Sequence, residues 1–216
     1  DTKVHAFYGK LFQPAPFENL SKAFTTVGGG NGSVTDYAVK AEKDDYYEVG
    51  VSQALGEKQV ATVNYYYKKA TNMIDDTQLL NTSITQPYNF AEGYATGVEF
   101  SLAGEIAPHL TEFLNYSYED ARGRGISGGI FAFSPGTSSG GNYQFLDHVQ
   151  MNTANAGLTF AKDEYWATLQ GLYGSGLRTG QNNSSSLPSH LTFDFTIGYK
   201  LVSREWLNGF KASFDV

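Results

Sequence analysis

The sequence predicts an all-β chain, an antiparallel meander that forms part of the wall of a large transmembrane β-barrel. Three observations predict it. First, Leu191, Phe193, Phe195, Ile197, Tyr199 and Leu201 alternate strictly with Thr192, Asp194, Thr196, Gly198 and Lys200. A period of two puts the apolar set on one face of a strand and the polar set on the other. The run lasts about eleven positions, the ~9–11 that a tilted strand needs to cross a bilayer, whereas ordinary strands run to about five or six. Second, the same pattern recurs along the chain, and the connections between its repeats alternate long and short. Third, fifteen Tyr, fifteen Phe and 24 Gly against two Met are poor helix material and good material for strands and turns.

Composition also excludes. The 216 residues contain no cysteine, so disulfide scaffolds and thiolate metal sites are ruled out. No run approaches the roughly 18 apolar residues of a membrane helix. A mean hydropathy of −0.34 is compatible with a membrane barrel, because alternating strands average out. The net charge is −7 and the basic residues are scattered, which excludes nucleic acid as an expected partner. The chain begins at Asp1 within strand-like sequence, which reads as a piece of a longer protein.

The first strand is expected over residues 3–12, with its facing open. Residues 13–45, holding Pro14, Pro16 and the glycines at 28–30 and 32, read as a loop. Residues 46–55 form the second strand, with Tyr47, Val49, Val51 and Leu55 in phase, and 56–58 turn tightly. The third strand sets Ala61, Val63, Tyr65 and Tyr67 against Thr62, Asn64, Tyr66 and Lys68. A polar loop is expected over 72–93. The fourth strand opposes Val98, Phe100 and Leu102 to Gly97, Glu99 and Ser101, and 105–109, with Pro108, turn back. Leu110, Leu114, Tyr116 and Tyr118 share a face of the fifth strand, with Glu112 and Phe113 breaking its alternation. A Gly/Ser-rich loop follows over 122–147. Ala154, Ala156, Leu158 and Phe160 mark the sixth strand, and 161–164 a turn. Tyr165, Ala167, Leu169, Gly171 and Tyr173 mark the seventh, followed by a loop over 177–188. The strand of residues 189–201 is the eighth. A connection over 203–208 leads to the ninth, with Phe210, Ala212 and Phe214 in phase.

In an antiparallel meander every second connection lies at the same end, so the long loops share one end and the short turns the other. Outer-membrane barrels have this asymmetry. Tyr46, Tyr65, Tyr67, Tyr94, Tyr165, Trp166 and Trp206 stand near strand ends, where interfacial aromatic girdles are expected.

Motifs for chemistry are weak. Gly125-Ile126-Ser127-Gly128-Gly129 matches a nucleophile elbow, but no helix signal follows it, so it reads as loop. Asp147 and His148 read as the lead into the sixth strand rather than as triad partners. His5, His109, His148 and His190 have no partner at metal-ligand spacing, so no metal site is expected. The glycines near residue 30 lack the Lys-Ser/Thr of a phosphate loop. The acid pairs Asp44-Asp45, Asp75-Asp76 and Glu119-Asp120 read as solvated loop charge rather than calcium ligands. No catalytic residue and no cofactor are expected. Ligand recognition belongs on the loops of such a scaffold. Tyr88, Phe90, Phe131, Phe133, Tyr143 and Phe145 either stack on a siderophore or another planar ligand, pack the loops onto each other or sit in the outer-leaflet headgroups. Arg122, Arg124 and Arg178 have the chemistry to pair with an anionic chelate.

Several segments in order resemble the carboxy-terminal part of the barrel of a TonB-dependent outer-membrane receptor. They are AFYGKLFQPAPFENL at 6–20 and VKAEKDDYYEVGVSQALG at 39–56. The latter is similar to the family's Lys-Pro-Glu…Tyr-Glu-x-Gly segment, with Ala41 in the place of proline. Others are Glu-Gly-x-x-x-Gly-Val-Glu at 92–99, the strand at 147–160, Gly-Ser-Gly-Leu-Arg-Thr-Gly at 174–180, and 210–216, which resembles the approach to the family's penultimate loop motif. The resemblance implies about nine strands, the thirteenth to twenty-first, of a 22-stranded barrel. It implies that the earlier strands, the closing strand, the plug domain and the TonB box lie outside this chain, which alone would transport nothing. It implies a bacterial outer-membrane location and outer-membrane lipid around the wall. The parent receptor would take up a scarce ligand (a siderophore or other metal chelate, cobalamin or an oligosaccharide), powered by the TonB complex through the plug. The alternatives are a passive porin or adhesin-type barrel and, in another class, an outer-membrane or secreted hydrolase using Ser127.

Overall fold

The computed structural model describes residues 1–15, 39–78, 85–128, 141–180, 183–200 and 212–215. Among them there is no α-helix. The strands are β1 (Thr2–Gln13), β2 (Glu42–Leu55), β3 (Gln59–Gln78), β4 (Thr85–Ala107), β5 (Leu110–Gly128) and β6 (Gln144–Phe145). They continue as β7 (Asn152–Lys162), β8 (Tyr165–Gly174), β9 (Arg178–Thr179), β10 (Ser185–Ser186), β11 (His190–Tyr199) and β12 (Ala212–Asp215). One antiparallel sheet runs β1-β2-β3-β4-β5-β7-β8-β11-β12, with β6 added to β5, while β9 and β10 form a small hairpin of their own. The sheet is an open meander, with β1 and β12 at opposite edges.

Register explains the two faces. Val4, Val51, Val63, Phe100, Tyr116, Ala154, Tyr173 and Leu191 stand side by side across eight strands. One residue along, the opposite face carries Gly50, Asn64, Glu99, Ser117, Thr153 and His190. The apolar face stays open: Val4 is 71 % exposed and Phe193 67 %. The polar face bonds to itself, through Ser52 to Thr62 at 3.0 Å, Asn115 to Asn155 at 2.8 Å and Thr159 to Thr168 at 2.9 Å. A water-soluble sheet would bury its apolar side, and this one leaves it exposed.

β1 now has a facing. Tyr8 lies beside Tyr47 and Val4 beside Val51 on the apolar face, whereas His5 and Phe7 lie opposite Gly50 and Glu48. The exception at Phe113 has a cause as well. Its ring covers Gly157 on the polar face, where a neighbour with any side chain would collide.

Several expectations are corrected. The second strand starts at Glu42, four positions before Tyr46, inside the loop expected over 13–45. Most of the loop expected over 72–93 is strand: β3 continues to Gln78 and β4 begins at Thr85, paired through Gln78–Thr85. Residues 122–128 of the loop expected over 122–147 complete β5, and β6 pairs with Arg122 and Gly123. The reason is common to all three. Above the apolar rows both faces are wet, so alternation disappears, yet the cross-strand backbone bonds persist. Two girdle assignments also fail: Tyr46 stacks on Tyr66, and Trp166 covers Gly198, both on the polar face. Trp206 lies outside the described residues.

The described residues have one buried apolar cluster: Ala70, Met73, Tyr88, Phe90, Ala95, Ala121, Leu146 and Val149, with Tyr66 and Ile126 packed against it. It sits on the polar face at the long-connection end. Asn72, with φ at 54°, changes the phase of β3 there, so that Met73 covers Gly93 and, on β4, Phe90 covers Gly123.

Candidate binding site on the polar face

The chain between β6 and β7 supplies the lid of that cluster. The Leu146 amide donates to the Ala121 carbonyl at 3.2 Å, and the Glu119 amide to the Met151 carbonyl at 3.0 Å, which seats Leu146 and Val149 over β5. Small residues make this possible: Ala70, Ala95, Ala121, Gly93 and Gly123 leave room for Phe90, Met73 and the returning chain. Beside them is a cavity of about 490 Å³ bordered by Tyr46, Tyr66, Lys68, Glu119 and His148.

Charges surround the cavity. The Lys68 ammonium lies 2.8 Å from Glu42 and 3.8 Å from Asp44, both carboxylates being buried. Glu42 also accepts the Ile74 amide at 2.6 Å, which ties the start of β2 to β3. Burial pushes the Asp44 carboxyl up to about 6, and Lys68 only partly opposes it. On the same face, His148 Nδ1 lies 3.1 Å from Asp75 Oδ1 and 3.1 Å from Asp147 Oδ1. Asp75 is 1 % exposed, and its other oxygen accepts the Tyr88 hydroxyl at 3.0 Å. Hydrogen bonds to Asp147 and then Asp75 push the His148 imidazole up to about 10. Burial, then Asp75, pushes the Tyr88 hydroxyl well above its ordinary range. Among the described residues, Asp75, Asp147 and His148 are a group with metal-ligating atoms close enough to share one ion.

The residues expected from the sequence to bind ligand fall on two faces. Tyr88 and Phe90 meet edge to face at 5.1 Å inside the buried cluster, Phe90 being fully covered. Arg122, Arg124, Tyr143, Phe145 and Arg178 gather on the opposite face. The Arg122 and Arg178 guanidiniums lie 4.0 and 3.7 Å from the Phe145 ring centre. Arg122 grips Asp120 with two bonds at 2.7 and 2.9 Å. Arg124 bonds Glu92 at 2.9 Å and lies 4.8 Å from the Tyr143 ring, which meets Tyr94 edge to face. Phe131 and Phe133 lie outside the described residues. Ser127 lies within β5, not on a strand-to-helix turn.

The sequence reading missed the Glu42–Asp44–Lys68 and Asp75–Asp147–His148 groups. Spacing along the chain could not reveal them, because the sheet register and the returning chain bring their members together. The only sequence signal was the unusual density of charge at 42–45 and 75–76 within apparent loops.

The family model for the β-barrel of TonB-dependent receptor-like proteins matches residues 1–216. No curated protein matches the chain significantly. Among solved structures, the copper transporter OprC is similar, with a TM-score of 0.65 and 17% identity over 93% of this chain and 30% of that one. The ferric yersiniabactin uptake receptor FyuA of Yersinia pestis gives 0.60 and 16%, over 92% of this chain and 27% of its own. The ferric-catecholate import receptor Fiu of E. coli K12 gives 0.58 and 20%, over 93% and 27%. The chain thus spans less than a third of each of these receptors, and at such identities the likeness is one of fold. The chain belongs to the TonB-dependent receptor family, as part of the wall of a β-barrel of the bacterial outer membrane.

Proposed function

We propose that this wall segment serves a receptor that captures a metal-bearing ligand, such as a siderophore complex, and imports it with energy delivered through TonB. One observation carries the reading: the sheet keeps an exposed apolar face and a hydrogen-bonded polar face along the same strands. The apolar face meets hydrocarbon and the aromatics at its ends meet lipid headgroups. The polar face lines the interior through which a hydrated or chelated ligand passes. The names of the similar structures, which specify copper, ferric yersiniabactin and ferric catecholate, favour a metal-bearing ligand over an oligosaccharide. The cavity beside Tyr46, Tyr66 and Lys68 is the part of this segment best placed to touch it.

The test is uptake of ⁵⁵Fe-labelled siderophores by iron-starved cells expressing the whole receptor, with and without a working TonB. Uptake that needs both receptor and TonB supports the proposal. Receptor-dependent uptake that persists without TonB would instead assign a passive porin.

A further inference from the structure

We propose that Asp75, Asp147 and His148 form a site for a divalent first-row transition ion held directly by protein ligands. The site is independent of any chelate the receptor carries. The argument begins with one nitrogen. His148 Nδ1 is 3.1 Å from a carboxylate oxygen of Asp75 and 3.1 Å from one of Asp147. An imidazole nitrogen owns at most one hydrogen, which cannot point well at two anions at once. A metal ion accepts all three donors together. Ligand atoms about 2.0–2.2 Å from a metal in tetrahedral or octahedral arrangement stand roughly 3 Å apart, which is the separation of Nδ1 from each carboxylate oxygen here.

The surroundings fit an ion. Asp75 is fixed from behind, its Oδ1 accepting the Asp76 amide at 2.9 Å and its Oδ2 the Tyr88 hydroxyl at 3.0 Å. Such support orients a ligating carboxylate and is part of a working metal site. Asp75 is buried, while Asp147 is 47 % and His148 60 % exposed, so an ion reaches the group from solvent and keeps open positions for water. Once an ion displaces the imidazole proton, the three ligands carry two negative charges, which a dication cancels. One nitrogen and two oxygens favour zinc, nickel, cobalt or manganese. Calcium, which takes 6–8 oxygen ligands, is a poor match. A bound ion would clip β3 to the chain that covers the Phe90 cluster.

The whole receptor is purified in detergent, stripped with a chelator and titrated with ZnCl₂ by calorimetry, alongside Asp147→Asn and His148→Ala. Both substitutions fall on exposed side chains, and unchanged melting of the stripped variants checks that they fold. Wild type should bind a zinc equivalent that each variant loses or holds more than about tenfold more weakly. Calcium should not replace it. Cobalt in the same site should give a ligand-field spectrum that disappears in His148→Ala. Equal zinc stoichiometry and affinity in wild type and both variants, or no zinc binding by wild type, would overturn the proposal. Neither outcome depends on which ligand the receptor imports.

Discussion

The Phe90 ring lies against the bare backbone of Gly123, in the space that a side chain at position 123 would occupy. Phe90 is fully buried, and the pair joins β4 to β5 beneath Leu146 and Val149. Phe90→Ala should cost about 3–5 kcal/mol by emptying the cluster. Gly123→Val should cost about 1–3 kcal/mol by overfilling it. The Gly123→Val, Phe90→Ala double variant should be more stable than the two losses summed. Urea unfolding of the whole receptor in detergent, analysed as a double-mutant cycle, measures this coupling; strict additivity would disprove the contact.

Lys68 neutralises Glu42, which is almost wholly buried. Lys68→Met should therefore cost about 3–5 kcal/mol, because it strands a buried carboxylate. Glu42→Gln combined with Lys68→Met should recover part of the loss in the same unfolding assay.

Asp44 gives a pH signature. Its carboxyl is raised from 3.8 to about 6, so the folded state binds a proton more tightly than the unfolded one does. The stability this contributes is complete below about pH 4 and is lost as pH rises through about 6. Asp44→Asn should remove that dependence. Subtracting its stability–pH curve from that of wild type isolates the effect from other carboxylates, and parallel curves would count against it.

Phe145 holds two guanidiniums at once. Phe145→Leu keeps the apolar bulk but removes the ring charge distribution, and should cost about 1–2 kcal/mol for two partly exposed cation–π contacts. With Arg178→Met in the background, the same change should cost roughly half as much.

The two faces of β8 provide a control pair. Leu169 stands between Leu158 and Phe195 on the apolar face, whereas Gln170 faces Asp194 on the other. Leu169→Arg should cost about 2–4 kcal/mol in a bilayer and lower the amount of receptor in the outer membrane. Gln170→Lys should be tolerated, since the new ammonium meets Asp194. Equal tolerance of both would refute the assignment of faces.

How much the sequence revealed depended on the medium around each residue. Between Tyr47 and Leu55, or Leu191 and Tyr199, one side must be apolar and the other need not be, so the period of two stood out and the strands were located within a few positions. Beyond Tyr67 no such contrast exists. Asp75, Asp76, Asn89 and Gln86 looked like loop, although the ladder continues through them. Phase was lost at Asn72, where positive φ swaps the faces, and this hid the burial of Met73 and Phe90. The ligand candidates were chosen for being aromatic or cationic in polar company. That criterion found both clusters but could not separate the side of the sheet on which each lies. The Asp75–His148 contact depends on a chain that folds back, and residue spacing carries no trace of that.

The β3–β4 hairpin reaches eleven positions past Tyr67, roughly 35 Å of strand at about 3.3 Å per residue, with its rungs bonded almost throughout. So continuously laced a ribbon carries the wall beyond the apolar rows as paired strand rather than as loop. In the receptor proposed above, this ribbon would be among the first surfaces an incoming ligand meets.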